Sequence, residues 1–233
     1  MITVRGKQLR DMTRAELLAS ADTYAGVTID VGTGDGAFAY RYAQTHPERF
    51  VIGLDPVSEN MREYSAKAAR PPARAGKPDR GGLANVLYIV ASIEQTPPEM
   101  DGIGSELHVN LPWGSLMRGV ILGDDVVLEG LASLACDGCR LRIIVNTRIF
   151  DDPVPIDARH LPELTPEYVR ERLTDPYARA GWRIVEARLF DADEVAGLGT
   201  TWAKRLSHRR PPPSVLIEAT RVRADARSLE PAP

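Results

Sequence analysis

The sequence is poor in several residues that would narrow its chemistry at once. Its 233 residues include only two cysteines and four histidines. Cys136 and Cys139 form a single CDGC, two ligands short of a zinc site and too few for a disulfide framework, so no metal is expected and the segment reads as a turn at Asp137-Gly138. No apolar stretch approaches the length needed to cross a bilayer, and the opening MITVRGKQLRD mixes charge with apolar side chains. The expected location is the cytoplasm. A dominant charge sign is also missing, since 29 basic against 32 acidic residues leave a formal net charge of -3. A composition 43% hydrophobic and 26% charged excludes collagen-like, coiled-coil and largely disordered chains, and suits a globular protein with a sizeable core.

What is present is a regular alternation. Short runs rich in Val, Ile and Leu predict about seven strands, at 27–31, 50–54, 86–91, 106–111, 141–146, 182–190 and 215–220. Helix-period stretches fall between them at 37–45, 58–69, 115–122, 126–136, 166–180 and 192–198. Thr165 before Pro166 reads as an N-cap with proline in the first turn, and Gly181 closes the same helix. The alternation predicts an α/β fold, a mostly parallel sheet with helices on both faces. No repeat or linker divides the chain, so residues 1–222 read as one domain and 223–233 as a fraying tail. The stretches 71–82, 150–162 and 199–213 are longer than bare connections need, and long connections in a compact domain are usually functional or disordered.

The near-neutral total conceals local runs. Arg62, Lys67, Arg70, Arg74, Lys77 and Arg80 face only Glu63 and Asp79, and Lys204, Arg205, Arg209 and Arg210 sit in a segment with no acid. Either run alone would be ordinary solvated surface. Two of them beside candidate site residues point to a polyanionic partner.

The site chemistry begins after the strand VTID, where Gly32, Gly34 and Gly36 in VGTGDG allow a tight turn into a helix and let a ligand lie against the backbone. Asp55 ends the next strand, where a carboxylate can accept from both hydroxyls of a ribose. Asp30 adds a second carboxylate. A pyrophosphate beside Asp30 and Asp35 is electrostatically awkward, which disfavours a dinucleotide, whereas S-adenosylmethionine carries a cationic amino group and sulfonium. The spacing DVGTGDG with an acid closing the second strand resembles class I methyltransferases. That resemblance places Ala91, Ser92 and Glu94, after the third strand, against the adenine ring of the cofactor.

After the fourth strand comes Asn110-Leu111-Pro112-Trp113-Gly114-Ser115, where many methyltransferases acting on amino groups or ring nitrogens carry an aromatic that stacks on the target base. Trp202 lies in a late insertion. Trp182 opens a strand and reads as core. A base flipped from RNA can be held between Trp113 and Trp202, each stacking contact being worth about 1 to 3 kcal/mol.

DVGTGDG, the LYIVASIE strand end, ELHVNLPWGSLMRGV, EVAGL and TTWAKRL together resemble the aminoglycoside-resistance methyltransferases of the kanamycin and apramycin type, which modify N1 of adenosine 1408 in 16S rRNA. The resemblance extends over nearly the whole chain, from about Gly6 to about Leu216. It implies a seven-stranded class I fold with an N-terminal hairpin and inserted loops that read the assembled 30S subunit. It further implies that Asp30, Gly32, Gly34, Asp55, Ala91, Ser92 and Glu94 bind S-adenosylmethionine. Trp113 and Trp202 would clamp the base, with Pro112 and Thr201 shaping the pocket. Lys67, Arg70, Lys204, Arg205 and Arg209 would lie against phosphates, joined by Lys7, in a protein acting as a monomer. ARPPARAGKPDRGG departs from the family by its length and its arginine and proline content. The residues leave open a small-molecule methyltransferase, a non-catalytic RNA-binding relative and, against Asp30 and Asp35, a nicotinamide-dependent oxidoreductase.

Overall fold

The computed structural model describes residues 1–71, 82–147, 159–198 and 213–222. In chain order its strands are β1 (Ile2–Arg5), β2 (Gln8–Asp11), β3 (Val27–Val31), β4 (Phe50–Asp55), β5 (Val86–Val90), β6 (Gly104–Asn110), β7 (Ala135–Asn146), β8 (Trp182–Phe190) and β9 (Ser214–Arg221). They form one nine-stranded sheet in the order β2-β1-β5-β4-β3-β6-β7-β9-β8. All seven strands expected from the sequence are there, β3 to β9. The hairpin β1–β2 adds two more by pairing antiparallel to β5, so the sheet is wider than the seven-stranded expectation. From β5 to β7 the pairs are parallel, and β9 enters antiparallel between β7 and β8. From β3 the chain proceeds outward to β4 and β5 on one side, then returns to β6 on the other. The strand order therefore reverses between β3 and β6, where a crevice opens beyond the strand ends.

The helices are α1 (Arg14–Ala21), α2 (Ala37–Thr45), α3 (Ser58–Ala68), α4 (Gly114–Leu122), α5 (Asp125–Leu134), α6 (Pro166–Tyr168), α7 (Thr174–Arg179) and α8 (Ala192–Gly197). The period-2 alternation of the strands sorts the core into two layers. Ile29, Ile52, Leu107 and Ile143 join Met117, Val120, Leu128 and Leu131 of α4 and α5 in the larger cluster. Val51, Val86 and Tyr88 point the other way, onto Ala39, Ala43 and Met61 of α2 and α3. Trp182 is fully buried, and its indole N–H donates to the Leu128 carbonyl at 3.2 Å, in keeping with its reading as core.

Three local features differ from the sequence reading. The CDGC segment does not turn. It lies within β7, where Ala135 pairs with Gly104 and Arg140 with Glu106, so the extra residues bulge out of the ladder with Gly138 at φ +74°. The helix expected at 166–180 is interrupted, since α6 and α7 are joined by a π-helical stretch, Val169–Leu173. Pro176 lies just beyond it and has no N–H to continue the regular ladder. Helix α1 escaped notice because Leu17 is its only buried residue. The signal that would have found it is the capping box in which Thr13 and Glu16 satisfy each other's backbone amides.

The borders of the sheet are unlike its centre. β2 has four residues, QLRD, all exposed. β8 carries Arg183, Glu186 and Arg188 and shifts register between Ile184 and Glu186.

Helix α5 approaches the connection after β5 at Gly130, where an added Cβ would lie 2.0 Å from the Ile93 carbonyl oxygen. Glycine to alanine within a helix ordinarily stabilises by about 1 kcal/mol. Here the overlap outweighs that gain, and Gly130→Ala is expected to destabilise by roughly 1 to 3 kcal/mol in urea unfolding. Unchanged or increased stability would show that α5 can move away freely.

Candidate active site

The crevice between β3 and β6 is a cleft of about 700 Å³, within the size range of small-molecule sites. Its lining includes Asp30, Gly32 and Gly34 from the turn after β3, Asp55 from β4, Ala91, Ser92 and Glu94 after β5, and Pro112 and Trp113 after β6. Four strand ends thus bring together every residue named as a cofactor contact, together with one of the two tryptophans.

The turn is built from backbone. The amides of Gly32 and Thr33 both donate to the Leu54 carbonyl, at 2.8 and 2.9 Å, which pins the loop to β4. Gly36, at φ +80°, accepts a hydrogen bond from the Tyr88 hydroxyl at 2.9 Å. The Tyr88 ring lies against Gly53, where a side chain would collide with it. Gly34, at φ +59°, has open space where a Cβ would stand, so its backbone faces the cleft without cover.

The carboxylates differ in character. Asp30 is 2% exposed and accepts from the Thr33 hydroxyl and from Asn110 Nδ2, the latter at 3.3 Å. Burial pushes its pKa up to about 6, against the pull of Thr33, His108 and Asn110. Asp55 accepts from the Gly34 amide and the Val57 amide, both at 2.9 Å, and burial raises its pKa as well. For Glu94, partial burial pushes upward, but hydrogen bonds from Ser115, its own amide and Ser92 outweigh it and hold the carboxylate below its ordinary range. Asn110 Oδ1 is buried without a partner among the described residues.

These features fit S-adenosylmethionine. A desolvated carboxylate beside an orphaned carbonyl oxygen suits a ligand ammonium with its several donors. Asp55 retains lone pairs for ribose hydroxyls. No phosphate would be welcome next to Asp30. Among the described residues no group of three or more His, Cys, Asp or Glu is placed to hold a metal ion.

Trp113 is 55% exposed at the edge of this cleft rather than in the interior. Lys67 and Arg70 are not among the lining residues. Lys67 is in and Arg70 just beyond α3, where Lys67 pairs with Glu63 at 2.7 Å and lies over the Tyr64 ring, while Arg70 is exposed. Lys7 is exposed in the hairpin turn. Trp202, Thr201, Lys204, Arg205 and Arg209 lie outside the described residues. Thr33 and Asn110 lie within the DVGTGDG and ELHVNLPWGSLMRGV motifs, but no spacing in the sequence marks them as partners of Asp30.

A family model described as NpmA, 16S rRNA (adenine(1408)-N(1))-methyltransferase, matches residues 2–221. The chain belongs to this 16S rRNA (adenine(1408)-N(1))-methyltransferase family. A family enzyme from Streptoalloteichus hindustanus is 41% identical over 210 residues, covering 90% of this chain and 94% of its own length. One from Escherichia coli is 31% identical over 211 residues, with the same coverage of both chains. The crystal structure of a tryptophan-to-alanine variant of the 16S rRNA (adenine(1408)-N(1))-methyltransferase from Catenulisporales acidiphilia, with cosubstrate SAM, superposes with a TM-score of 0.87 at 36% identity and covers both chains fully. The 16S rRNA methyltransferase KamB superposes with a TM-score of 0.84 at 38% identity, over 96% of this chain and 100% of that one. For this member of the family, the cosubstrate is S-adenosylmethionine and the fold is that of an α/β methyltransferase.

The raised pKa of Asp30 predicts a pH dependence of cosubstrate binding. With Asp30 as the partner of the cosubstrate ammonium, only the ionised carboxylate binds, so affinity is expected to hold above about pH 6 and to fall as the group protonates below that value. At pH 5 only about a tenth of the protein is competent, and calorimetry should show roughly tenfold weaker binding than at pH 7.5 together with proton release near pH 6. Asp30→Asn should weaken binding by about tenfold to a hundredfold and remove the pH dependence. A wild-type dissociation constant that does not change between pH 5 and 7.5 would show that Asp30 is not the partner.

Proposed function

We propose that this chain transfers a methyl group to N1 of adenosine 1408 of 16S rRNA within the 30S subunit, with the target base flipped out and stacked on Trp113. The observation that carries the reading is the placement of Trp113, a half-exposed indole at the rim of a cleft floored by Asp30 and Asp55, in a chain of this family. An exposed tryptophan beside a polar cleft offers a flat apolar face at low entropic cost, which is what an unstacked purine seeks.

Bound in the cleft, S-adenosylmethionine supplies a methyl carbon made electrophilic by its sulfonium, which a nitrogen lone pair takes while the sulfur keeps the C–S electron pair. Adenine N1 is neutral and already carries an in-plane lone pair, so no strong base is required. The chain's contribution is positioning. Asp30 and Asn110 hold the amino end, Asp55 the ribose, and Ala91, Ser92 and Glu94 border the adenine side. Trp113 and Trp202 clamp the base, with Pro112 and Thr201 shaping the pocket, so that N1 is aimed along the transfer line. Lys67 and Arg70, with Lys204, Arg205, Arg209 and Lys7, supply phosphate contacts to the subunit. The protein acts as a monomer. The product base is cationic at neutral pH and has lost its pairing edge. That charge and bulk oppose a polycationic aminoglycoside, so the activity confers resistance to such drugs.

Primer extension on purified 30S subunits tests the reading, because a methyl on the pairing edge stops the polymerase at that position. Trp113→Ala is expected to reduce transfer by roughly tenfold to a hundredfold, as the loss of one stacking contact implies, while calorimetric affinity for S-adenosylmethionine stays within about twofold. Normal turnover with lost cosubstrate binding would overturn the stacking role. Removing charge with Lys67→Gln and Arg70→Gln together should flatten the salt dependence of subunit binding by one to two units of log-log slope. An unchanged slope would take these two residues off the docking face.

A further inference from the structure

Leu111 is the only non-glycine residue with a positive φ among the described residues, at +51°. A side chain resists that backbone region, and the proline that follows restricts the residue before it further. Such a conformation survives only where its surroundings dictate it. Two contacts do so here. The Leu111 amide donates to the Ile144 carbonyl of β7 at 2.8 Å. Its partly buried side chain packs against a small cluster of Ile144, Phe190, Val195 and Leu216, which Leu198 also joins.

The position of this anchor gives it meaning. Between the end of β6 at Asn110 and the start of α4 at Gly114 the chain has only Leu111, Pro112 and Trp113. All three line the cleft, yet Trp113 projects to solvent, and Leu111 alone packs into that cluster. Pro112 has a fixed φ and Gly114 stands at φ +62°, so the direction in which the chain leaves Leu111 governs where the indole goes. The cluster draws on β7, β8, α8 and β9. Leu198, just past α8, is the last described residue before the sequence segment that contains Trp202.

We propose that Leu111 is a positioning residue for methyl transfer. Its apolar anchor holds a strained exit from β6 and thereby sets the Trp113 ring at the cleft, from a cluster that also holds Leu198 at the end of α8. The proposal rests on the reading of Trp113 as the surface that receives the base. A ring held in place before substrate arrives spares the ordering that would otherwise be charged to the transition state.

Three substitutions and three measurements test it. Leu111→Ala removes the anchor but keeps a side chain in the strained region, Leu111→Gly removes both anchor and strain, and Leu111→Met keeps apolar bulk. At saturating cosubstrate and 30S subunits, kcat should fall about tenfold or more in the alanine and glycine variants, with the dissociation constant for S-adenosylmethionine within about twofold of wild type. Leu111→Met should recover most of the loss. In protein labelled with 5-fluorotryptophan, the 19F resonance of Trp113, assigned through Trp113→Phe, should shift or split in Leu111→Ala while that of buried Trp182 stays in place. Wild-type kcat in both the alanine and glycine variants, or an unmoved Trp113 resonance, would overturn the proposal. So would a loss that tracks only the fraction of folded protein. If the wild-type enzyme leaves adenosine 1408 unmodified, the function proposed above fails, and the fluorine spectra still decide whether Leu111 fixes the indole.

Discussion

A carboxylate taken out of water at the end of the central strand is the constraint on which the rest of the site depends. Asp30 stays buried because it belongs to β3, whose five residues are all buried. It is tolerated because Thr33 and Asn110 donate to it from the turn on one side and the neighbouring strand on the other. An anion so placed is poorly satisfied until a cation arrives. The fold therefore carries a preference for cationic ligands before any ligand contact is made, and the glycine turn beside it removes the side chains that would keep such a ligand away.

The strand order converts this local chemistry into a site. Because β4 and β6 flank β3 and the chain connections diverge there, the ends of β3, β4, β5 and β6 open into one crevice. The carboxylates and turns proposed to receive the cosubstrate stand at the ends of β3, β4 and β5, with Asn110 of β6 beside Asp30. Trp113 follows the end of β6, so the indole proposed to receive the base and the cleft proposed for the donor are held by adjacent strands of the same sheet. Glu94 joins the two faces, since Ser115, at the start of α4, is among the groups that hold its carboxylate.

Much of this was legible in the sequence because it depends on short-range spacing. The glycines of VGTGDG, the acid ending FVIGLD and the tryptophan after HVNLP announce themselves by their offsets from strand ends, and the strands by their apolar runs. What escaped depends on partners far away in the chain. The CDGC segment looks like a turn until β6 supplies a ladder for it to bulge from. The interruption between α6 and α7 was hidden because a single proline within a good helical pattern does not say how the strain is relieved. Asn110 opens the segment that carries Trp113, but its hydrogen bond to Asp30 appears only when β3 and β6 are side by side, and nothing in the letters of Asn110-Leu111-Pro112 signals a left-handed leucine. Helix α1 shows the opposite failure, a capping signal present in the sequence and overlooked because the helix buries so little.

The borders of the sheet carry a consequence of their own. A wide sheet ends in two rows of backbone groups that invite another chain to continue the ladder. Here, among the described residues, one rim closes with a four-residue strand in which every side chain is exposed and two are charged, and the other with a kinked strand studded with arginine and glutamate. Charge at both rims, with the register break in β8, works against strand addition, beside the exposed Leu9, Val185 and Leu189. The hairpin β1–β2, besides enlarging the sheet, occupies the edge of β5 that would otherwise be open to another chain.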